Sequence, residues 1–253
     1  MDGLSIRRRI ALDIARSMRK SQEEEHPLRQ LFWECTLRCN LRCQHCGSDC
    51  KQVAATPDMP KEDFFKVLDS IAAKTDPHKV FVIISGGEPT MRADLEECGK
   101  GIYSRGFPWG MVTNGFGMTA ERFSRLLGAG LHSMTVSLDG LEENHDWLRG
   151  REGSFTRAAE TIRMAVRSGI AFDVVTCVNR RNYSQLPQLK EFLIGLGLKE
   201  WRLFSIFPQG RDALNPDLQL PPEMFRGMLD FIKETRKEGR IKASYGCEGF
   251  LGP

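Results

Sequence analysis

Six times between residues 30 and 237, a short apolar run of strand length is followed by a stretch of helical periodicity. The strand-like runs are 30–35, 80–85, 109–113, 132–138, 172–179 and 200–207. The helix-like stretches are 61–74, 95–103, 119–127, 155–168, 186–196 and 221–237. Residues 80–85, Val-Phe-Val-Ile-Ile-Ser, are almost continuously apolar, as a parallel strand covered on both faces requires. Strand–helix alternation implies a parallel α/β sheet with helices packed outside it. Right-handed crossovers wind such units into a barrel or an open doubly wound sheet. Six units fall short of the eight of a closed TIM barrel, and the pattern alone does not choose between a partial barrel and an open sheet. In either architecture ligands sit at the carboxyl ends of the strands.

The chain of 253 residues is long enough for one large domain. Lys plus Arg number 36 against 33 for Asp plus Glu, a net charge of only +3. That balance gives no basis for nucleic-acid binding, which needs charge concentrated on one face. No apolar run reaches the roughly 18 residues of a membrane span. The N-terminus is too charged throughout for a secretory signal. Residues 4–19 carry Leu4, Ile10, Ile14 and Met18, with Arg7, Arg8, Arg9, Arg16 and Arg19 between them. This reads as an amphipathic helix, expected to pack as a cap on the main domain; a basic helix lying on a membrane surface is the alternative. The expected organisation is an N-terminal helix and connection over 1–28, the main domain over 29–240, and the start of an extension over 241–253.

Five of the eight cysteines fall between Cys35 and Cys50. In a chain without an export signal, clustered cysteines point to metal or redox chemistry rather than disulfides. The core is Cys39-x3-Cys43-x2-Cys46. Three thiolates at that spacing suit one face of an iron–sulfur cubane, with one iron left open to an outside ligand. A zinc site with Cys35, Cys50 or His45 as fourth ligand, or unliganded core thiols, are the alternatives.

The stretch Cys39-Asn40-Leu41-Arg42-Cys43-Gln44-His45-Cys46 resembles the CxxxCxxC signature of the radical S-adenosylmethionine (SAM) enzymes. Further markers of that family follow in order: Gly86-Gly87-Glu88-Pro89 after the second strand, Thr113-Asn114-Gly115 after the third and Ser137-Leu138-Asp139-Gly140 at the end of the fourth. His145-Asp146 and Arg149-Gly150 come next, then Thr176-Cys177-Val178-Asn179. The resemblance covers about residues 30–210. It implies a partial (β/α)6 TIM-like barrel with an N-terminal helix. It also implies a [4Fe–4S] cluster on Cys39, Cys43 and Cys46, with SAM chelating the open iron. Reductive cleavage of SAM then gives a 5′-deoxyadenosyl radical that abstracts hydrogen. The cofactors carry that chemistry and the protein positions them.

By the same resemblance, His45 contacts adenine, while Gly86, Gly87 and Glu88 hold the SAM amino group; glycine lets backbone approach a ligand closely. Ser137 contacts SAM, and Thr113 and Asn114 face the same lumen. Arg149 either pairs the SAM carboxylate or anchors its loop to Asp146. Phe207, at the end of the sixth strand, packs on adenine. Asp139 reads as a structural acceptor in the turn before Gly140. Cys35, Cys98 and Cys177 read as buried thiols, and Cys50 as a labile one. Cys247 lies where relatives with a cysteine-rich SPASM or twitch extension begin to ligate further clusters, and the ending Gly-Phe-Leu-Gly-Pro reads as a truncated form. Gln209 and Arg211 are substrate-side candidates, and no general base is identified.

The expected activity is hydrogen abstraction from a peptide or protein side chain. The alternative is an enzyme of molybdopterin, haem or quinone cofactor biosynthesis, and a third reading is a non-catalytic iron–sulfur or zinc protein. The expected partners are the substrate and a flavodoxin or ferredoxin-type electron donor, and the expected location is the cytoplasm.

Overall fold

A computed structural model describes residues 5–212 and 215–246. Seven parallel strands form one sheet, each paired to the next in chain order: β1 (Gln30–Thr36), β2 (Phe81–Gly86), β3 (Trp109–Thr113), β4 (Leu131–Ser137), β5 (Ala171–Val178), β6 (Glu200–Ser205) and β7 (Lys242–Tyr245). The first and last strands do not pair with each other, so the sheet is a barrel left open on one side. The helices are α1 (Ile6–Glu25), α2 (Lys61–Ala72), α3 (Leu95–Ser104), α4 (Ala120–Gly128), α5 (Glu142–Arg149), α6 (Ser154–Ser168), α7 (Leu186–Gly195) and α8 (Pro222–Glu238).

Period-two alternation sorts each strand's side chains. On β1, Trp33 and Cys35 are buried toward the helices, and Trp33 stacks on Phe64 of α2 with centroids 3.9 Å apart. Phe32, one step before Trp33, faces the opposite way and is 63% exposed. The main core therefore lies between sheet and helices: Ile84, Trp109, Met134 and Trp201 from strands meet Leu68, Ile102, Leu126, Ile162 and Ile232 from helices. The lumen side carries polar groups beside apolar ones such as Phe32 and Val112. Its lower part holds a bridge in which Arg202 on β6 pairs with Asp173 on β5 and donates to Thr135 on β4.

Three features differ from the sequence reading. The sheet has a seventh strand, so residues 242–245 belong to the barrel and the boundary drawn at 240 falls before its last strand. That strand is only four residues long and follows Gly239, the left-handed cap of α8, too closely to show a pattern. Helix α5 also went unread, because its sequence Glu-Glu-Asn-His-Asp-Trp-Leu-Arg has almost no apolar face. The third is α1: it is helical, but Ile6, Ile10, Ile14 and Met18 are all more than half exposed, so its stripe does not cap the barrel. Periodicity shows that a helix has an apolar stripe, not what covers it. No described helix is long and apolar enough to cross a membrane. Cys247 lies outside the described residues.

Candidate functional site

The loops following β1 to β4 and β6, with β-strand ends between them, enclose a cavity of about 640 Å³, counting the space open at its mouth. It is lined by Cys39, Cys43, His45 and Cys46 from the loop after β1 and by Gly86, Gly87 and Glu88 after β2. Thr113, Asn114, Ser137 and Arg149 line it too, so of the cofactor-binding residues expected from the sequence it gathers all but Phe207. Ser85, Val112, Cys50 and Arg211 line it as well. Ser85 and Val112 were legible as strand residues only; their place follows from lumen-facing alternation near the strand ends.

The cysteine loop is fastened at several points. Cys39 N–H donates to Lys51 O at 2.8 Å, closing the loop on itself. Gln44 donates through N–H to Leu148 O and through Nε2 to Trp147 O, both at 2.8 Å, tying the loop to α5. Among the described residues, the three motif thiols do not form a group whose sulfurs all lie within 4.8 Å of one another. A single tetrahedral zinc, with Zn–S about 2.3 Å, needs thiolates about 3.8 Å apart. An all-thiol donor set on a cavity wall and spread more widely than that fits a cluster better than one ion. Burial pushes the Cys39 thiol up to about 12 and raises the Cys43 thiol too. These two thiols are therefore protonated in the metal-free site, and loading must release their protons.

Two glycines bring the second loop against the first. Gly86 has φ +123°, and a Cβ there would sit 2.2 Å from Thr36 O; one on Gly87 would sit 2.2 Å from Arg38 O. Their N–H-side pairing continues the sheet past the strands, with Gly87 N–H on Thr36 O at 2.8 Å and Glu88 N–H on Arg38 O at 2.9 Å. Glu88 is buried. Its Oε1 accepts from Thr90 N–H, the Thr90 hydroxyl and the Thr113 hydroxyl, at 2.7–3.1 Å, and its Oε2 accepts from Asn114 N–H at 2.7 Å. Glu88 thus ties the β2 and β3 loops together, and Oε2 keeps acceptor capacity on the cavity side. Asn114 Nδ2 donates to Asn40 Oδ1 at 2.8 Å and lies 3.9 Å from Cys39 Sγ.

The third wall is a buried ion pair. Arg149 meets Asp139 Oδ2 through Nε and Nη2, both at 2.6 Å, and its Nη1 lies 3.7 Å from Cys43 Sγ. Asp139 Oδ1 accepts from Cys177 N–H at 2.8 Å. Burial opposes the charge on Asp139, but the Arg149 guanidinium holds its carboxyl below the usual range. The anchor of Arg149 is therefore Asp139 and not Asp146. Asp146 instead accepts from Gly153 N–H, the Ser154 hydroxyl and Phe155 N–H, starting α6. His45, Asp139 and Cys177 have ligand atoms within 4.8 Å of one another. The Arg149 charge already neutralises that carboxylate, so the trio is a poor cation site. His45 Nδ1 is shut from water without a hydrogen-bond partner among the described residues.

Phe207 is not at the site. Strand β6 ends at Ser205, Ile206 turns inward beside Leu148 and Leu218, and Phe207 is 64% exposed. One step along an extended chain reverses the side chain's direction.

His145 supplies a pH prediction. Its Nδ1 accepts from Asp139 N–H at 3.0 Å, and its buried Nε2 has no partner among the described residues. Burial pushes its pKa down to about 4, with Arg149 and His45 lowering it further and Asp139 and Asp146 opposing. The unfolded chain binds the proton first, so this contribution to stability falls as pH drops from above 6.5 toward 4. At 1.36 kcal/mol per unit, wild type should lose about 1.4 kcal/mol more than His145→Gln between pH 7.5 and 5.5. Urea unfolding at the two pH values measures the difference; equal losses would contradict the assignment.

The profile of the radical SAM superfamily matches residues 33–193, and the chain belongs to that family of enzymes. Members of that superfamily use a [4Fe–4S] cluster and SAM. The chain is 29% identical over 220 residues to the AdoMet-dependent heme synthase of Methanosarcina barkeri, covering 87% of this chain and 62% of that one. It is 26% identical over 217 residues to the PqqA peptide cyclase of Rhizobium meliloti, covering 85% and 56%. The crystal structure of Streptococcus suis SuiB bound to S-adenosylmethionine superimposes with a TM-score of 0.71 at 15% identity, over 98% of this chain and 58% of that one. The partial TIM-like barrel is thus the fold of the family. The chain spans about three fifths of the length of these proteins.

Proposed function

We propose that this chain binds a [4Fe–4S] cluster through Cys39, Cys43 and Cys46, cleaves SAM reductively and abstracts hydrogen from a substrate. The observation that carries the proposal is the convergence of these three thiols with the Gly86-Gly87-Glu88 loop, Ser137 and Arg149 on one cavity. When bound, the two cofactors supply one-electron cleavage of a sulfonium and a carbon-centred hydrogen abstractor. The chain's own residues bind and orient. Glu88 Oε2 and the glycine backbone suit an ammonium group, and the Thr113 and Asn114 loop is held in place by the same carboxylate. Arg149, locked by Asp139, presents Nη1 toward Cys43 and offers positive charge to the cluster side of the cavity. His45, buried and held neutral, contributes ring surface rather than charge.

For the substrate we favour a carboxylate-bearing tetrapyrrole of the haem type. Similarity to a heme synthase supports this, and so does a second cleft beside the cysteine loop, lined by Arg42, Lys51 and Arg151 with Asp49 opposing them. A peptide is the second reading, supported by similarity to a peptide cyclase. The test is 5′-deoxyadenosine formation by the anaerobically reconstituted chain with SAM and dithionite. Cys39, Cys43 and Cys46 replaced together by alanine should abolish it, a loss of at least about 1,000-fold, since no iron remains to hold SAM. A porphyrin carrying propionates should accelerate turnover more than a short peptide does. Product formation by the triple variant would overturn the cluster assignment, and acceleration by the peptide alone would overturn the tetrapyrrole reading.

A further inference from the structure

The loop after β1 holds four cysteines that face the cavity, and only three are used above. Cys50 continues the spacing as Cys39-x3-Cys43-x2-Cys46-x3-Cys50. It is 4% exposed and lines the same cavity. Cys39, Leu41, Cys43 and Cys50 form one small apolar cluster, with Cys46 and Phe116 against it. Cys35 and Cys98 contrast with this: both are buried in the main core behind the sheet.

The backbone of Cys50 is fixed by the residue that fixes two of the motif cysteines. Arg211, in the loop after β6, donates through Nε to Cys43 O at 2.9 Å, through N–H to Cys46 O at 3.1 Å and through Nη1 to Cys50 O at 3.0 Å. Its Nη1 also meets Asp49 at 3.2 Å. Gly210 lets this loop approach: its φ is +68°, and a Cβ there would sit 2.4 Å from Cys46 O. Arg211, read from the sequence as a substrate-side candidate, lines the cavity as well as clamping the loop. A cysteine needed only for packing has no use for a shared anchor with the motif carbonyls and a place on the cavity wall.

We propose that Cys50 is a fourth thiol of the site: while SAM is absent it ligates the iron left open by Cys39, Cys43 and Cys46, and SAM displaces it. The proposal rests on the cluster reading given above. As the Fe–S bond forms, the thiol proton leaves to solvent. When SAM arrives that bond breaks, its amino and carboxylate groups take the iron, and the thiolate regains a proton. No electron moves. The open iron is thereby protected from loss between turnovers, at the expense of apparent SAM affinity.

The experiment compares wild type, Cys50→Ala, Cys50→Ser and Cys98→Ala after anaerobic reconstitution, with thermal melting as a check on fold. SAM is titrated by electron paramagnetic resonance of the reduced cluster. Loss of one iron under mild ferricyanide oxidation is followed without SAM. If Cys50 holds the iron about nine tenths of the time, Cys50→Ala should bind SAM about tenfold more tightly. It should also lose iron faster, while Cys98→Ala behaves as wild type. Should Cys50→Ala melt early, Cys50→Ser, a weaker ligand of nearly the same size, carries the comparison in the same direction. Wild-type SAM affinity and iron retention in both Cys50 variants would overturn the proposal while leaving the cluster intact. If wild type itself assembles no cluster, the underlying reading fails, and the two failures are distinguishable.

Discussion

Asp139→Asn should destabilise the chain by about 3–5 kcal/mol, the usual loss when one member of a buried ion pair is removed. The asparagine can still accept from Cys177 N–H. What it cannot do is neutralise Arg149, whose side chain is 9% exposed and whose remaining near neighbour is the Cys43 sulfur. The cost is that of an uncompensated guanidinium in the barrel wall rather than of one hydrogen bond. Urea unfolding at pH 7.5 measures it, and a loss below about 1 kcal/mol would show that water or another group already satisfies Arg149. Because the pair stands against Cys43, the variant should also hold less iron after reconstitution.

Gly86→Ala is the second large effect. A φ of +123° is rarely adopted by any residue with a side chain, and the new Cβ would sit 2.2 Å from the Thr36 carbonyl oxygen. Backbone strain of about 1–3 kcal/mol is compounded by a clash with main chain, which has no rotamer to yield. The same contact surface carries the Gly87–Thr36 and Glu88–Arg38 hydrogen bonds that seat the two loops together. The variant should therefore lose at least about 3 kcal/mol and most of its iron-binding capacity. Near-normal iron content with unchanged stability would mean that the β2 loop does not position the cysteine loop.

These two cases show which parts of the site the sequence could and could not disclose. Each of the six predicted strands lies within about two residues of an observed one, because burial on both faces leaves an apolar run that survives inspection. The cysteine spacing and the Gly-Gly-Glu-Pro stretch are local, and so was their reading. The contacts that hold the site are not local. Asp139 finds Arg149 across α5 and finds the Cys177 backbone across a strand pairing. Glu88 reaches Thr113 and Asn114 on the next strand. Which partner an acid selects depends on the tertiary fold: Asp146, one of the two partners read for Arg149, starts α6 instead. Phe207 failed by one residue of phase at a strand end. The clamp formed by Arg211 was not legible, because its loop folds back onto the cysteines and no pattern in residues 206–212 records that. The apolar stripe of α1 was legible, but its exposure was not.

The central claim is that three thiols leave one iron for SAM to chelate. The most direct measurement is electron–nuclear double resonance on the reduced, reconstituted chain with SAM labelled isotopically at its amino nitrogen. The account predicts a strong coupling between that nitrogen and the cluster, absent from the Cys39, Cys43, Cys46 triple-alanine variant. A fully loaded cluster that binds SAM without any such coupling would contradict it.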